Sequence, residues 1–187
     1  ATEFGFLLFS FIIAYFINKE YSNKNTLFYK LIGENIFSFF YKKALVLFVE
    51  CFIFIFLGIT IISLVFSNFS HYLLLLILFS LVILQYILIV GTISLISPNV
   101  LVSIGISIIY WIGSIILVAI NKNVFGVIAP FEASNSMYMS IEKILNNKMN
   151  MINSHDVWTI ILFFFIIFIV NFIILISSKS RWLKLGM

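Results

Sequence analysis

The sequence predicts an all-α fold: a polytopic bundle of transmembrane helices with five spans and no soluble domain. Three observations predict it. Of 187 residues, 63% are hydrophobic and only 10% charged, whereas a soluble domain is nearer a quarter charged. Too few charges are present to build a wetted surface, and the mean hydropathy is +1.21. Four apolar runs, at residues 44–66, 72–96, 100–120 and 157–177, reach the ~20 residues that a helix needs to cross a hydrocarbon core about 30 Å thick. A shorter apolar run, residues 4–17, precedes them. The 23 Phe suit a lipid-facing or tightly packed bundle. The whole chain, 1–187, reads as a single transmembrane domain.

The run at 4–17 starts from Ala1 with no basic region before it, so it does not read as a secretory signal. It reads as a span. Residues 19–43 follow, with Lys19, Lys24, Lys30, Lys42 and Lys43 against Glu20 and Glu34. The C-terminal tail carries Lys179, Arg181 and Lys184 without an acid. Basic connections stay on the cytoplasmic side, so both segments are expected there. The 67–71 connection has no Lys or Arg, and the 121–156 loop balances three Lys against Glu132, Glu142 and Asp156. Both are expected outside. Alternating spans agree with each assignment and place the N-terminus outside. A cytoplasmic start would need one more span upstream, which makes six in a complete protein.

Within 19–43, Leu27 and Leu31, and Phe28 and Ile32, fall at i, i+4 spacing, so a short helix with an apolar face is expected. Thr26 is placed to cap its start and Gly33 to end it. Such a helix rests on lipid or docks a cytoplasmic partner. Glu50 lies seven residues beyond Lys43, about 10 Å along a helix. An ionised acid near the bilayer centre costs about 2.5–3.5 kcal/mol on insertion scales. Glu50 therefore marks a polar spot in a path, or it bonds to Lys42, Lys43 or a neighbouring helix. Cys51, the single cysteine, reads as a small buried hydrophobe.

Gln85 and Asn171 are also polar groups inside spans. They serve as interhelical hydrogen bonds or line the path. Ser97-Pro98-Asn99 makes a tight turn, because Pro ends the preceding helix. Ser103, Ser107 and Ser114, with Gly113 beside them, form a small-residue stripe where helices approach closely. In the outer loop Met137, Ile141, Ile144 and Leu145 fall on one helical face. This predicts an extracellular amphipathic helix capped by Asn135 or Ser136, acting as a gate or a lid. Trp182 and the basic residues around it read as an interface anchor.

Glu20-Tyr21, then Thr26-Leu27, a short helix, and Lys42-Lys43 leading into a long span resemble the membrane subunits of ABC-2-type ABC exporters. The stretch 20–30, Glu-Tyr-Ser-Asn-Lys-Asn-Thr-Leu-Phe-Tyr-Lys, is similar to permeases of Gram-positive peptide-toxin exporters such as those for phenol-soluble modulins. The resemblance covers nearly the whole chain in span order, although the family's first span has no counterpart. Ile32-Gly33-Glu34-Asn35 stands where many members have a Pro-Ile-Ser-Arg-like step. The resemblance implies that Asn25, Thr26, Leu27, Phe28, Tyr29, Lys30, Leu31 and Ile32 form a coupling helix that docks on a cytoplasmic ABC ATPase. It implies a second permease subunit, identical or related, meeting this one through Ser103, Ser107, Gly113 and Ser114. The implied path, with Glu50, Gln85 and Asn171 as polar points, carries an amphipathic or hydrophobic peptide across a bacterial cell membrane.

No Gly precedes a Lys, so no phosphate-cradling Gly-Lys-Ser/Thr loop is present. ATP and Mg are then expected in a partner chain and no cofactor in this one. His71 and His155 have no second ligand at metal spacing, no metal site is expected, and no HExxH or GxSxG motif appears. The net charge of +4 sits beside apolar runs and gives no nucleic-acid surface. The competing reading is an ATPase-independent membrane binding or immunity protein that sequesters a toxin peptide. An intramembrane enzyme would need a second group beside Glu50.

Overall fold

The computed structural model describes residues 2–22, 28–29, 31–97, 99–132, 135–146 and 152–184, without side chains at 2–4, 21–22, 123, 136 and 179–184. It is helical throughout its described elements: α1 (Thr2–Ser22), α2 (Ile36–Val65), α3 (Tyr72–Ile96), α4 (Val100–Ile120), α5 (Lys122–Phe125), α6 (Ser136–Leu145) and α7 (Ser154–Lys184). Four helices are long and apolar enough to cross a membrane: Ile36–Val65, Tyr72–Ile96, Val100–Ile120 and Ser154–Ser178. Two of them, α3 and α4, begin and end where the apolar runs do.

The other two overrun their apolar runs for local reasons. α2 starts at Ile36, not near residue 44, because Asn35 caps it: the Asn35 side chain accepts a hydrogen bond from the Ser38 amide at 2.8 Å. Ile36, Phe39 and Phe40 are buried, so this extra turn has a packed face. Thirty residues at 1.5 Å each carry α2 well past the hydrocarbon. α7 likewise extends from Ser154 to Lys184.

α3 is the central helix. Its buried residues run from Leu78 to Leu95, and it packs against α1, α2, α4 and α7. Consecutive long helices run antiparallel. Thr60 and Tyr72 hydroxyls meet at 2.9 Å at one end of the α2–α3 pair, and Phe40 lies against Gly91 at the other. The α3–α4 pair is pinned by the Ser94 and Ser103 hydroxyls at 2.5 Å. The end that carries Lys42 and Lys43 is called the basic end below, and α6 lies at the opposite end.

Gly91 explains how closely α1 and α2 approach α3. A Cβ there would meet Ile17 Cδ1 at 3.0 Å and Phe40 Cε2 at 3.2 Å. Any larger side chain would wedge the three helices apart, and overpacking of this kind costs about 1–3 kcal/mol. At the opposite end Phe6 of α1 stacks on Trp111 with centroids 6.3 Å apart and meets Tyr86 edge-on at 5.1 Å. Hydrocarbon offers no water to a hydroxyl. The buried Ser and Thr therefore bond back to their own helix: Thr92 to the Leu88 carbonyl, Ser94 to Val90, Ser107 to Ser103.

Candidate functional site

The basic end is built around Lys43. Its ammonium pairs with the Glu20 carboxylate at the end of α1. The same ammonium lies over the Phe16 ring at 4.6 Å and within 5.9 Å of the Tyr29 ring. Both charged side chains are mostly buried, 17% and 15% exposed. One Lys thus ties α1, α2 and the segment between them. Lys42 pairs with Glu34 instead. The Lys42 ammonium, and after it the Ser38 hydroxyl, hold the Glu34 carboxyl below its ordinary range. A carboxyl with a lowered value keeps its pairing at neutral pH and loses it only as pH falls through that lowered value.

Of the expected coupling helix, Asn25, Thr26, Leu27 and Lys30 lie outside the described residues. Phe28, Tyr29 and Leu31 are helical, and the turn closes with Ile32 N–H to the Phe28 carbonyl at 3.2 Å and Glu34 N–H to the Tyr29 carbonyl at 2.9 Å. Gly33 takes φ +83 there, a left-handed conformation that Gly adopts without strain. The faces of this turn differ. Tyr29 points inward, edge-on to Phe39 at 5.3 Å. Phe28, Leu31 and Ile32 point out, 63%, 81% and 59% exposed.

Glu50 sits on the outer surface of α2 and is exposed. It makes no ion pair among the described residues, since Lys43 and Lys42 are taken by Glu20 and Glu34. The expectation that Glu50 bonds to one of these lysines is therefore corrected: its neighbours on the surface are Val46, Val49, Ile53 and Phe54, all exposed.

Asn171, 1% exposed, is the centre of a polar crossing of three helices. Its Nδ2 donates to the Thr92 hydroxyl at 2.6 Å, and its Oδ1 accepts from the Tyr41 hydroxyl at 2.8 Å. Asn171 and Thr92 also line a largely apolar cavity of about 280 Å³ between α3, α4 and α7. Nothing in the sequence brought Tyr41 and Thr92 to it, because they are 130 and 79 residues away. Replacing Asn171 by Leu removes the acceptor of the Tyr41 hydroxyl and the donor to Thr92. The expected loss is about 1–2 kcal/mol, in the upper range of interhelical hydrogen bonds, read as a lower unfolding temperature in detergent. Tyr41→Phe in the same background should add little, and full additivity would argue that the two groups are not coupled.

Gln85 is buried with its Oε1 unpartnered among the described residues. Asn18, at the basic end of α1, is also buried with both amide atoms unpartnered among the described residues. The sequence reading missed it because it stands one residue before Lys19 and looked like the edge of a loop. Ser103, Ser107 and Ser114 of the small-residue stripe are buried within this chain. Gly113 is half-buried, and it and Gly105 have open space where a Cβ would be.

At the opposite end α6 forms as the periodicity predicts. Asn135 caps it, accepting from the Met137 amide at 3.3 Å. The same side chain donates to the Gly126 and Ala129 carbonyls at 2.8 and 3.1 Å, which ties the preceding loop to the helix start. Met137 and Ile144 are buried.

Comparison with known proteins gives these features a context. The chain matches the peptide export permease protein YydJ family over residues 1–187. It is 62% identical to the "Probable peptide export permease protein YydJ" of Bacillus subtilis (strain 168), over the whole of this chain and 78% of that protein. No solved structure matches it. A match along the full length, on a chain whose helices cross a membrane several times, makes it a multi-pass bacterial membrane protein of transport rather than enzymatic type. The chain belongs to the peptide export permease protein YydJ family.

Proposed function

We propose that the chain is the membrane subunit of an ATP-driven peptide exporter, working with a second permease subunit and a separate ABC ATPase that supplies ATP and Mg. The observation that carries this reading is Glu50. A carboxylate exposed on the side of a membrane helix, with its nearest lysines occupied, is costly against lipid. It is tolerated where that side faces water, a second subunit or cargo. The α2 face bearing Glu50 is then the wall of the path, and the path lies between two subunits. Asn171 faces into one bundle and ties its helices together, and Gln85 is buried in the same bundle.

In this reading α1 is also a span, which makes five with the four longer helices, the basic end is cytoplasmic and α6 is extracellular. Two permease subunits meet along the exposed α4 face of Leu101, Gly105, Ile109, Ile112, Gly113 and Ile116. Its two glycines have room for a close helix approach. The turn of Phe28, Leu31 and Ile32 docks on the ATPase. The cargo is an amphipathic or hydrophobic peptide.

Glu50→Gln keeps the shape and removes the charge. Export of peptide into the medium is expected to fall about tenfold, close to 1.4 kcal/mol, while the amount of protein in the membrane is unchanged. Undiminished export at equal protein level would remove Glu50 from the path.

A further inference from the structure

We propose that the cleft between α3 and α6 is a binding site for a basic amphipathic peptide, in which Glu142 reads a Lys or Arg beside a bulky apolar side chain. Its role in release of cargo rests on the export reading above, and the site itself stands on the geometry. The cleft encloses about 200 Å³. That is below the ~300–1,000 Å³ of a typical small-molecule pocket and suits one or two side chains. Its floor is Leu78 and Val82 of α3 with Phe131 of the loop, all buried. Its wall is Ile141 and Leu145 of α6.

Of nine lining residues only Tyr138 and Glu142 bring polar side-chain groups. Glu142 is exposed and makes no ion pair or side-chain hydrogen bond among the described residues. Lys143 follows it but points about 100° further round the helix and does not line the cleft. A carboxylate without a partner among the described residues, at the mouth of an apolar cleft, complements an apolar group that carries a cation next to it. It repels an anionic peptide and offers nothing to a lipid tail.

The cleft also continues. A neighbouring hollow of about 280 Å³ shares Leu75 and Leu145 with it and runs on to Asn68, Ser70 and His71. Together they make a groove with an apolar floor and a polar edge along the end opposite Lys42 and Lys43. An amphipathic segment longer than one residue fits such a groove.

The test is equilibrium binding to the purified protein in phosphatidylcholine nanodiscs, measured over empty nanodiscs. The probes are two labelled 14-residue helical peptides, one of Leu and Lys and one of Leu and Glu. The wild type should prefer the Lys peptide. E142Q should weaken that binding about three- to fivefold, the scale of one partly exposed charge pair. E142K should reverse the preference, and K143Q, the control, should leave it unchanged. Equal binding of the Lys peptide by wild type, E142Q and E142K overturns the site, as does a wild type without preference. Export is read separately. If E142K reverses peptide preference but no variant, Glu50→Gln included, alters export, the site stands, while its role in release of cargo and the place of Glu50 in the path fall. If Glu50→Gln lowers export and E142K leaves binding unchanged, the site falls and the transport reading stands.

Discussion

Replacing Lys43 by Met is expected to destabilise the protein by about 2–3 kcal/mol, somewhat under the cost of breaking a fully buried ion pair. The reason is geometric. The Glu20 carboxylate and the Lys43 ammonium are each about one-sixth exposed, so the carboxylate left behind is poorly hydrated. Met fills most of the volume of the Lys stem, which isolates the charge from the packing. The ammonium also lies over the Phe16 and Tyr29 rings, and those contacts are lost with it. The Glu20→Gln, Lys43→Met double variant should regain most of the loss, because an uncharged amide needs no counter-ion. The measurement is the unfolding temperature of the four proteins of this cycle in one detergent. A Lys43→Met protein as stable as wild type would reduce the pair to a surface contact.

The second large effect is functional. Changing Phe28 and Leu31 together to Ala should abolish most export while the protein still inserts and keeps its stability. Both side chains point away from the rest of the chain, so their removal leaves no cavity in the bundle. In the proposed function this exposed apolar pair, on a turn anchored through Tyr29 against Phe39, is the docking contact for the ATPase. ATP hydrolysis by the proposed ATPase partner should continue at or above its resting rate in this variant, without peptide release. Hydrolysis and export in their wild-type ratio would show that the turn does not carry the coupling. Tyr29→Ala is a different experiment: Tyr29 faces Lys43 and Phe39, so it should lower stability along with export.

These two predictions meet at one place. Lys43 touches the inner side of the turn that Phe28 and Leu31 present outward. In the proposed exporter a push on that turn would pass through Tyr29 to Lys43 and Glu20, and so to the ends of α1 and α2. The mostly buried pair makes this joint stiff, because its members cannot separate without exposing charge to a poorly hydrated site.

The class of the molecule was legible in its composition and in the spacing of its apolar runs. Hydrocarbon satisfies no backbone N–H, so a run of about 20 apolar residues has little choice but a helix. This is why α3 and α4 end where the runs end; α6 was foretold separately, by the i, i+4, i+7 spacing of Met137, Ile141 and Ile144. Helix overruns were less legible. The turns of α2 before residue 44 depend on the Asn35 cap and on burial of Phe39 and Phe40, and burial is a property of neighbours.

By itself the sequence determined that the chain is a membrane helix bundle, and that Glu50, Gln85 and Asn171 are polar groups in apolar runs. Only the tertiary structure decided what each polar group is for. Asn171 turned inward to Tyr41 and Thr92, the serines turned inward to pack, and Glu50 turned outward with its lysines already taken. The physical reason is that a helix periodicity gives the relative faces of residues on one helix but not which face meets another helix. In a bundle this apolar, where nearly every side is hydrophobic, amphipathicity does not mark the inside. The contacts between helices, set by close approach at Gly91 and by pairs more than 75 residues apart, decide it.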